Sequence, residues 1–442
     1  MSGRRLATLL IICAAIGIPA VALRAACAGK SCSSGGGDEA RIPFCPLPDA
    51  LKADLAAGFR EGRSPDVFAV TQGTIVRGGT DPAEASVPWP SVGAAEDTGV
   101  PIVFSGTGVD TTTMVPDSTG LDQVAPTISD VIGFKRPFPG VRAGVAVNGV
   151  ASGTHPRLVL EIALKGIGTP DIEAARGSWP FLESLLHDGS GTLHGTTGSL
   201  PLDPAATLTT IGTGGLPSQH GITGSYVRND NGDVVRAWGD GAPLSVIATL
   251  PDDLDEKTGE RAMIGLVETN ESDRGLIGGN WYPDHDRDAI TVSNGAGSVA
   301  AAGDILGQGF GRDDVPDILG VVLAGPGADA RIRQIVTLAR RASGGSLLVV
   351  VAGTGSTGTG QGTAEITGSS VVDDVEGFVE GDAPIVAEAV PGGLFLDQAT
   401  LAGEQISGDA AVQALLRVTT PDGQRMMADA FQGFAVSFAR YC

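Results

Sequence analysis

The chain has 442 residues, with 51 Asp and Glu against 29 Lys and Arg, for a net charge of −22. Acidity of that size repels phosphate backbones and excludes a nucleic-acid-binding role. Apolar residues make up 42% of a composition rich in Gly (66) and Pro (27), which implies a large, loop-rich folded core rather than a disordered chain.

At the front, Arg4 and Arg5 precede an apolar run from Leu6 to Leu23, and Ala25-Ala26-Cys27-Ala28 supplies a small-residue exit. Residues 1–28 therefore read as a signal peptide or as a membrane anchor, since the run is near the minimum spanning length. Either places the protein outside the cytoplasm, secreted or membrane-held. Cys27 is a lipidation candidate only if Arg24 is tolerated where an aliphatic residue is expected. Residues 29–46, with Ser33 to Gly37, form a flexible tether. Export favours disulfides, and two pairings are open: Cys45 with Cys442, joining the ends of the folded domain, or Cys32 with Cys45.

From Leu47 to Arg63 the spacing of Leu51, Leu55 and Phe59 predicts an amphipathic helix. A strand follows over Asp66 to Val76, and a short apolar one at Pro101 to Phe104. Leu121 to Phe134 reads as a helix with Pro126 in its first turn and Gly133 at its end. Leu158 to Leu164 has the continuous apolar character of a buried parallel strand, followed by a helix over Ile172 to Asp188. Asp203-Pro204 is a helix-start signal, and Tyr226 to Ala237 a hairpin turning at Asn231-Gly232. Strand, helix and strand are expected at Asp317 to Leu323, Ala330 to Arg341 and Leu347 to Ala352. A Gly/Thr loop (Thr354 to Gly362) and a helix over Asp409 to Arg417 complete the series. This alternation predicts a doubly wound, mostly parallel α/β sheet with helices on both faces.

Three parts of the chain, the third a pair of strands, resemble in order the type I phosphodiesterase/nucleotide pyrophosphatase branch of the alkaline phosphatase superfamily. Leu158 to Asp171, with Lys165-Gly166 and Pro170-Asp171, resembles the first strand and its Asp-Gly-x-x-Pro-Asp turn. Leu202 to Ile222, ending Pro217-Ser218-Gln219-His220-Gly221, resembles the nucleophile helix. Val321 to Arg331 and Val349 to Ser356 resemble the two later strands, which carry Asp…Gly-His and Asp-His-Gly. A fourth match is out of order: Val100 to Gly108 and Asp122 to Gly133 are similar to the family's closing element. The resemblance thus implies one circularly permuted domain over 47–442. Within it 47–154 corresponds to the family's C-terminal part, 155–360 to its core and 361–442 to the remainder.

Members of this family hydrolyse phosphate esters with two bound metals, usually zinc, flanking a Thr or Ser at a helix N-terminus. Here the implied ligand positions carry Lys165, Gly327, Arg331 and Gly353-Thr354-Gly355, and the last His-Gly falls near 76–80, where there is no histidine. The nucleophile position falls on Pro204, after Asp203. We therefore expect no catalytic residue, no metal site and no cofactor at these positions. Lys165, Asp203 and Thr207 are the cleft candidates for binding, with Lys165 paired to Asp203 in place of a metal charge. His220 reads as a structural turn residue. Asp284, His285 and Asp286 form the compact ligand-like cluster, read first as an acidic surface loop and second as a cation site. The resulting expectation is an exported pseudoenzyme with a binding or envelope role, its partner a cell-envelope glycan, a small anion or a protein. The alternative is an active phosphate- or sulfate-ester hydrolase with a relocated or metal-independent site.

Overall fold

The structure, a computed structural model, describes residues 42–442 apart from 94–97, 280, 283–287, 358–364 and 382, and leaves out the side chains of 439–441. The expected signal or anchor, most of the tether, and Asp284, His285 and Asp286 lie outside the described residues.

The described chain begins with α1 (Asp49–Gly58), β1 (Val67–Thr71) and β2 (Ile75–Arg77). Then come β3 (Gly99–Gly106), α2 (Val124–Val131), β4 (Leu158–Lys165), α3 (Thr169–Ala174), α4 (Pro180–His187) and β5 (Ser190–Thr196). The middle holds α5 (Pro204–Thr213), the one-turn α6 (Pro217–His220), the hairpin β6 (Tyr226–Arg228) and β7 (Val234–Arg236), and α7 (Leu250–Thr258). It continues through β8 (Ile264–Glu268), β9 (Ala289–Val292), α8 (Gly297–Leu306), β10 (Asp317–Ala324), α9 (Ala328–Ala342) and β11 (Leu347–Gly353). The last part contributes β12 (Glu365–Thr367), α10 (Gly368–Phe378), β13 (Val386–Val390), β14 (Gly393–Leu396), α11 (Gln398–Glu404), α12 (Gly408–Leu415) and β15 (Met427–Gln432).

Seven strands form the central sheet in the order β5-β3-β11-β4-β10-β8-β9. The pairs from β11 through β4, β10 and β8 to β9 are parallel, while β3 runs antiparallel to β11 and β5. Pleating sends alternate residues of β4 to opposite faces. Leu158, Leu160, Ile162 and Leu164 join the core under α3, α4, α8 and α9. Val159 and Ala163 join the core under α2, α5 and α7. By the same alternation Glu161 and Lys165 point to the α5 face. The fold is the expected doubly wound, mostly parallel α/β sheet.

One expected helix is two. The helix predicted over Ile172 to Asp188 breaks between α3 and α4, because Gly177 takes a left-handed φ of 84° and Pro180 must start a new helix. The strand expected over Asp66 to Val76 is also two, β1 and β2, which turn apart at Gly73 (φ 69°) and join different sheets. The remaining elements appear with boundaries shifted by a few residues.

The two ends of the chain build a second sheet together, ordered β13-β14-β1-β15 and antiparallel. Its β1 comes from the front of the chain and its other three strands from the back. One face packs on α10 and α12. The other packs Phe68 and Phe431 with Phe44, whose backbone N–H donates to Asp429 at 2.8 Å. The rings of Phe44 and Phe431 meet edge-on at 5.1 Å. The Cys45–Cys442 disulfide closes this end, spanning 397 residues of sequence. Of the two pairings open from sequence, it is the long one. Residues 43–442 form one compact unit.

Candidate functional site

The crevice of a doubly wound sheet lies outside the carboxyl ends of its strands. In this chain Lys165 ends β4, Glu268 ends β8, and the charge of Lys165 reaches Asp203 at the N-terminus of α5. Asp203 is the N-cap of α5, with Pro204 at its first position. Its Oδ1 accepts from Ala205 N at 2.8 Å and from Ser225 Oγ at 3.0 Å, and its Oδ2 accepts from Ser225 N at 2.8 Å. The side chain is 1% exposed. Gly224 fits because a Cβ there would stand 3.1 Å from Asp203 Oδ2. Three donors therefore take up the carboxylate where the resemblance implies a nucleophile and a phosphate.

All ten residues of α5 are buried, which a helix so rich in threonine achieves by back-bonding. Thr207 Oγ1 donates to the carbonyls of Asp203 and Pro204 at 3.2 Å each, and Thr209, Thr210 and Thr213 donate to Ala205, Ala206 and Thr209 at 2.7, 3.1 and 2.6 Å. Thr207 is thus placed beside Asp203, with its hydroxyl turned back onto its own helix. His220 is fully buried. Its Nδ1 accepts from Ile222 N at 3.1 Å, so Nε2 carries the proton and donates to Thr210 Oγ1, also at 3.1 Å. Burial, with Arg60 nearby, pushes its pKa down to about 3. It is a neutral turn residue.

Lys165 ion-pairs with Asp273 rather than with Asp203. Its Nζ lies 2.6 Å from Asp273 Oδ1 and 3.0 Å from Thr269 Oγ1. Asp273 is fully buried and also accepts from Thr269 N at 2.7 Å and Thr269 Oγ1 at 2.5 Å. The charge of Lys165 still reaches Asp203: burial raises the Asp203 pKa, while Ser225, Ala205 and Lys165 pull it down. The expected direct Lys165–Asp203 pair is replaced by this contact at a distance, because Asp273 sits closer on the turn after β8.

Sequence reasoning missed Glu84. It lies in a short turn over Pro82–Glu84 and is 2% exposed, with neither carboxylate oxygen hydrogen-bonded. Burial first, and then the Asp203 charge, push its pKa up to about 9. Ser225 is near enough to pull the other way, but its hydroxyl proton is donated to Asp203. Glu84 is therefore a neutral acid at pH 7 lodged beside Asp203. Asp81 caps the same turn and is held by Arg236 at 2.7 Å and by the Tyr226 hydroxyl at 3.2 Å. Only the sequence Asp81-Pro82, an N-cap before a proline, signalled a helical turn here. Beside Asp203, among Phe68, Pro201, Thr223 and Tyr226, lies a cavity of about 10 Å³. It has no room for a substrate.

Comparisons with known proteins add a fold likeness. No family model matches the chain, and no curated protein does. The chain is similar to alkaline phosphatase PafA. The wild-type crystal structure aligns at 13% identity with a TM-score of 0.42, covering 63% of this chain and 84% of that one. A mutant of the same enzyme aligns at 12% and 0.40, covering 63% and 85%. A likeness of that size carries no argument about chemistry, which rests on the residues themselves.

Those residues do not fit a two-metal centre. Lys165 is a cation already paired. Arg331 is turned onto the carbonyls of Ala324, Gly325 and Pro326 at 2.7, 3.2 and 3.2 Å. Gly327 and Gly353 have no side chain to offer, and Thr354 Oγ1 accepts from Gly166 N at 2.9 Å. Arg77 is paired with Glu365. Among the described residues, no group of three or more His, Cys, Asp or Glu is placed to hold a metal ion.

Proposed function

We propose that this is an alkaline-phosphatase-like scaffold, circularly permuted, whose hydrolytic centre has become packing, and that it serves outside the cytoplasm as a binding or envelope protein. The observation that carries the reading is Asp203. It is buried, hydrogen-bonded three times and flanked by the neutral Glu84 at the helix N-terminus where the family resemblance implies the nucleophile. A buried, satisfied carboxylate there repels a phosphate ester and leaves it no donors.

Supporting the permuted order, β3 from the front of the chain is an inner strand of the central sheet. Supporting a place outside the cytoplasm are the basic and apolar N-terminal segment and the Cys45–Cys442 disulfide. Among the described residues no helix is long and apolar enough to cross a membrane. The test is metal content together with turnover of an aryl phosphodiester by the purified protein. Neither zinc at stoichiometric amount nor hydrolysis is expected, and both together would overturn the reading.

A further inference from the structure

A groove of about 340 Å³ opens at the second sheet, where the turn after α1 meets Arg228, the ends of β14 and β15 and the starts of α11 and α12. That volume is at the lower end for small-ligand sites. One wall is aromatic: Phe434 is 56% exposed and is steadied edge-on by Phe438, with ring centroids 6.4 Å apart at 89°. The floor carries planar polar groups. Gln398 Nε2 donates to Asp66 Oδ1 at 3.2 Å, which leaves its amide oxygen open, and the Gln432 amide has no partner among the described residues. At Gly62 a Cβ would meet nothing within 4 Å, so this edge of the groove is open.

Charge narrows the ligand. Arg228, the cation in the groove, is taken up by Asp66 and by the carbonyls of Gly232 and Leu396. Arg228 and Asp66 offset one another, and Glu61 leaves the groove net negative in a chain already at −22. Phosphates, sulfates and uronates therefore meet repulsion, and among the groove's described lining residues no free cation stands ready to receive them. A neutral sugar matches what is offered, since it has hydroxyls in the ring plane for amide groups and an apolar C–H face for an aromatic ring.

We propose that the groove among Phe434, Gln432 and Gln398 binds a neutral oligosaccharide, its apolar face on Phe434 and its hydroxyls on the two amides, with Asp66, already held by Arg228 and Leu396 N, fixing Gln398 in place. This deepens the binding half of the proposed function and is separable from it, because its failure leaves the zinc and hydrolysis test untouched. The experiment is ligand-detected NMR and calorimetry on the purified protein with cellobiose, maltose and diacetylchitobiose as probes, and with glucose 1-phosphate as the anionic control. At least one neutral probe should bind saturably with a Kd of about 1 mM or tighter. Phe434→Ala and Gln432→Ala should each weaken it by about tenfold, with the unfolding midpoint unchanged. The proposal is overturned if no neutral probe saturates, if both variants bind like the parent, or if the phosphorylated sugar binds better. It is also overturned if sedimentation shows a dimer that Phe434→Ala abolishes, since the face would then belong to a second copy.

Discussion

Replacing Asp203 with alanine removes three hydrogen bonds from one buried point. Loss of the N-cap bond to Ala205 N costs about 1 kcal/mol. The N–H and O–H of Ser225 then lose their acceptor in a closed site, at about 1–3 kcal/mol each. Part of this is offset, because Glu84 no longer faces the Asp203 charge. The net expectation is a loss of about 3–5 kcal/mol. Asp203→Asn keeps a good cap and one carbonyl oxygen, so it should cost about 1–2 kcal/mol. Urea unfolding followed by tryptophan fluorescence gives both values, and the predicted order of stability is parent, Asn, then Ala. If the alanine variant unfolds within about 0.5 kcal/mol of the parent, Asp203 does not anchor the helix. The carboxylate would then be free for a ligand, and the reasoning would fail.

Glu84 and Glu161 make stability depend on pH. Burial raises them to about 9 and about 8, against a usual 4.5. The folded state therefore holds protons that the unfolded chain releases above about pH 4.5. Stability is greatest below that pH and falls as pH rises through 8 and 9. Melting scans from pH 5 to 9 should show the decline, Glu161→Gln should flatten it, and a parent curve that rises with pH would contradict the assignment. Lys165→Met strands the fully buried Asp273 without its cation and should cost about 3–5 kcal/mol; chemical denaturation with no measurable change would show that the pair is idle. Cys442→Ser opens a 397-residue loop and should cost about 6 kcal/mol in the chain-entropy model, a loss that reduction of the parent should reproduce in the same unfolding assay.

The framework was legible because its signals are local. The apolar runs of β4, β10 and β11, the Asp203-Pro204 helix start and the Asn231-Gly232 turn each state their own structure. The break between α3 and α4 was legible too, in Gly177 and Pro180, but the helical period on either side outweighed it. Long-range placement was not legible. Glu84 stands 119 residues before Asp203, and nothing in the turn that carries it reports a carboxylate neighbour. Lys165 has two acidic partners within reach of its charge, and only the path of the turn after β8 selects Asp273. Likewise, β1 gives no sign that it will be sandwiched between two strands from the last 50 residues. Apolar pattern fixes the face of an element, while a polar side chain's partner depends on how distant turns close.

The central claim is that the α5 N-terminus no longer performs metal-dependent hydrolysis. Its most direct test is elemental analysis of the protein purified without chelators, then loaded with zinc and assayed on an aryl phosphodiester. The account predicts less than stoichiometric zinc and no turnover above that of an Asp203→Asn variant. Stoichiometric zinc accompanied by hydrolysis that Asp203→Asn or Lys165→Met abolishes would contradict it.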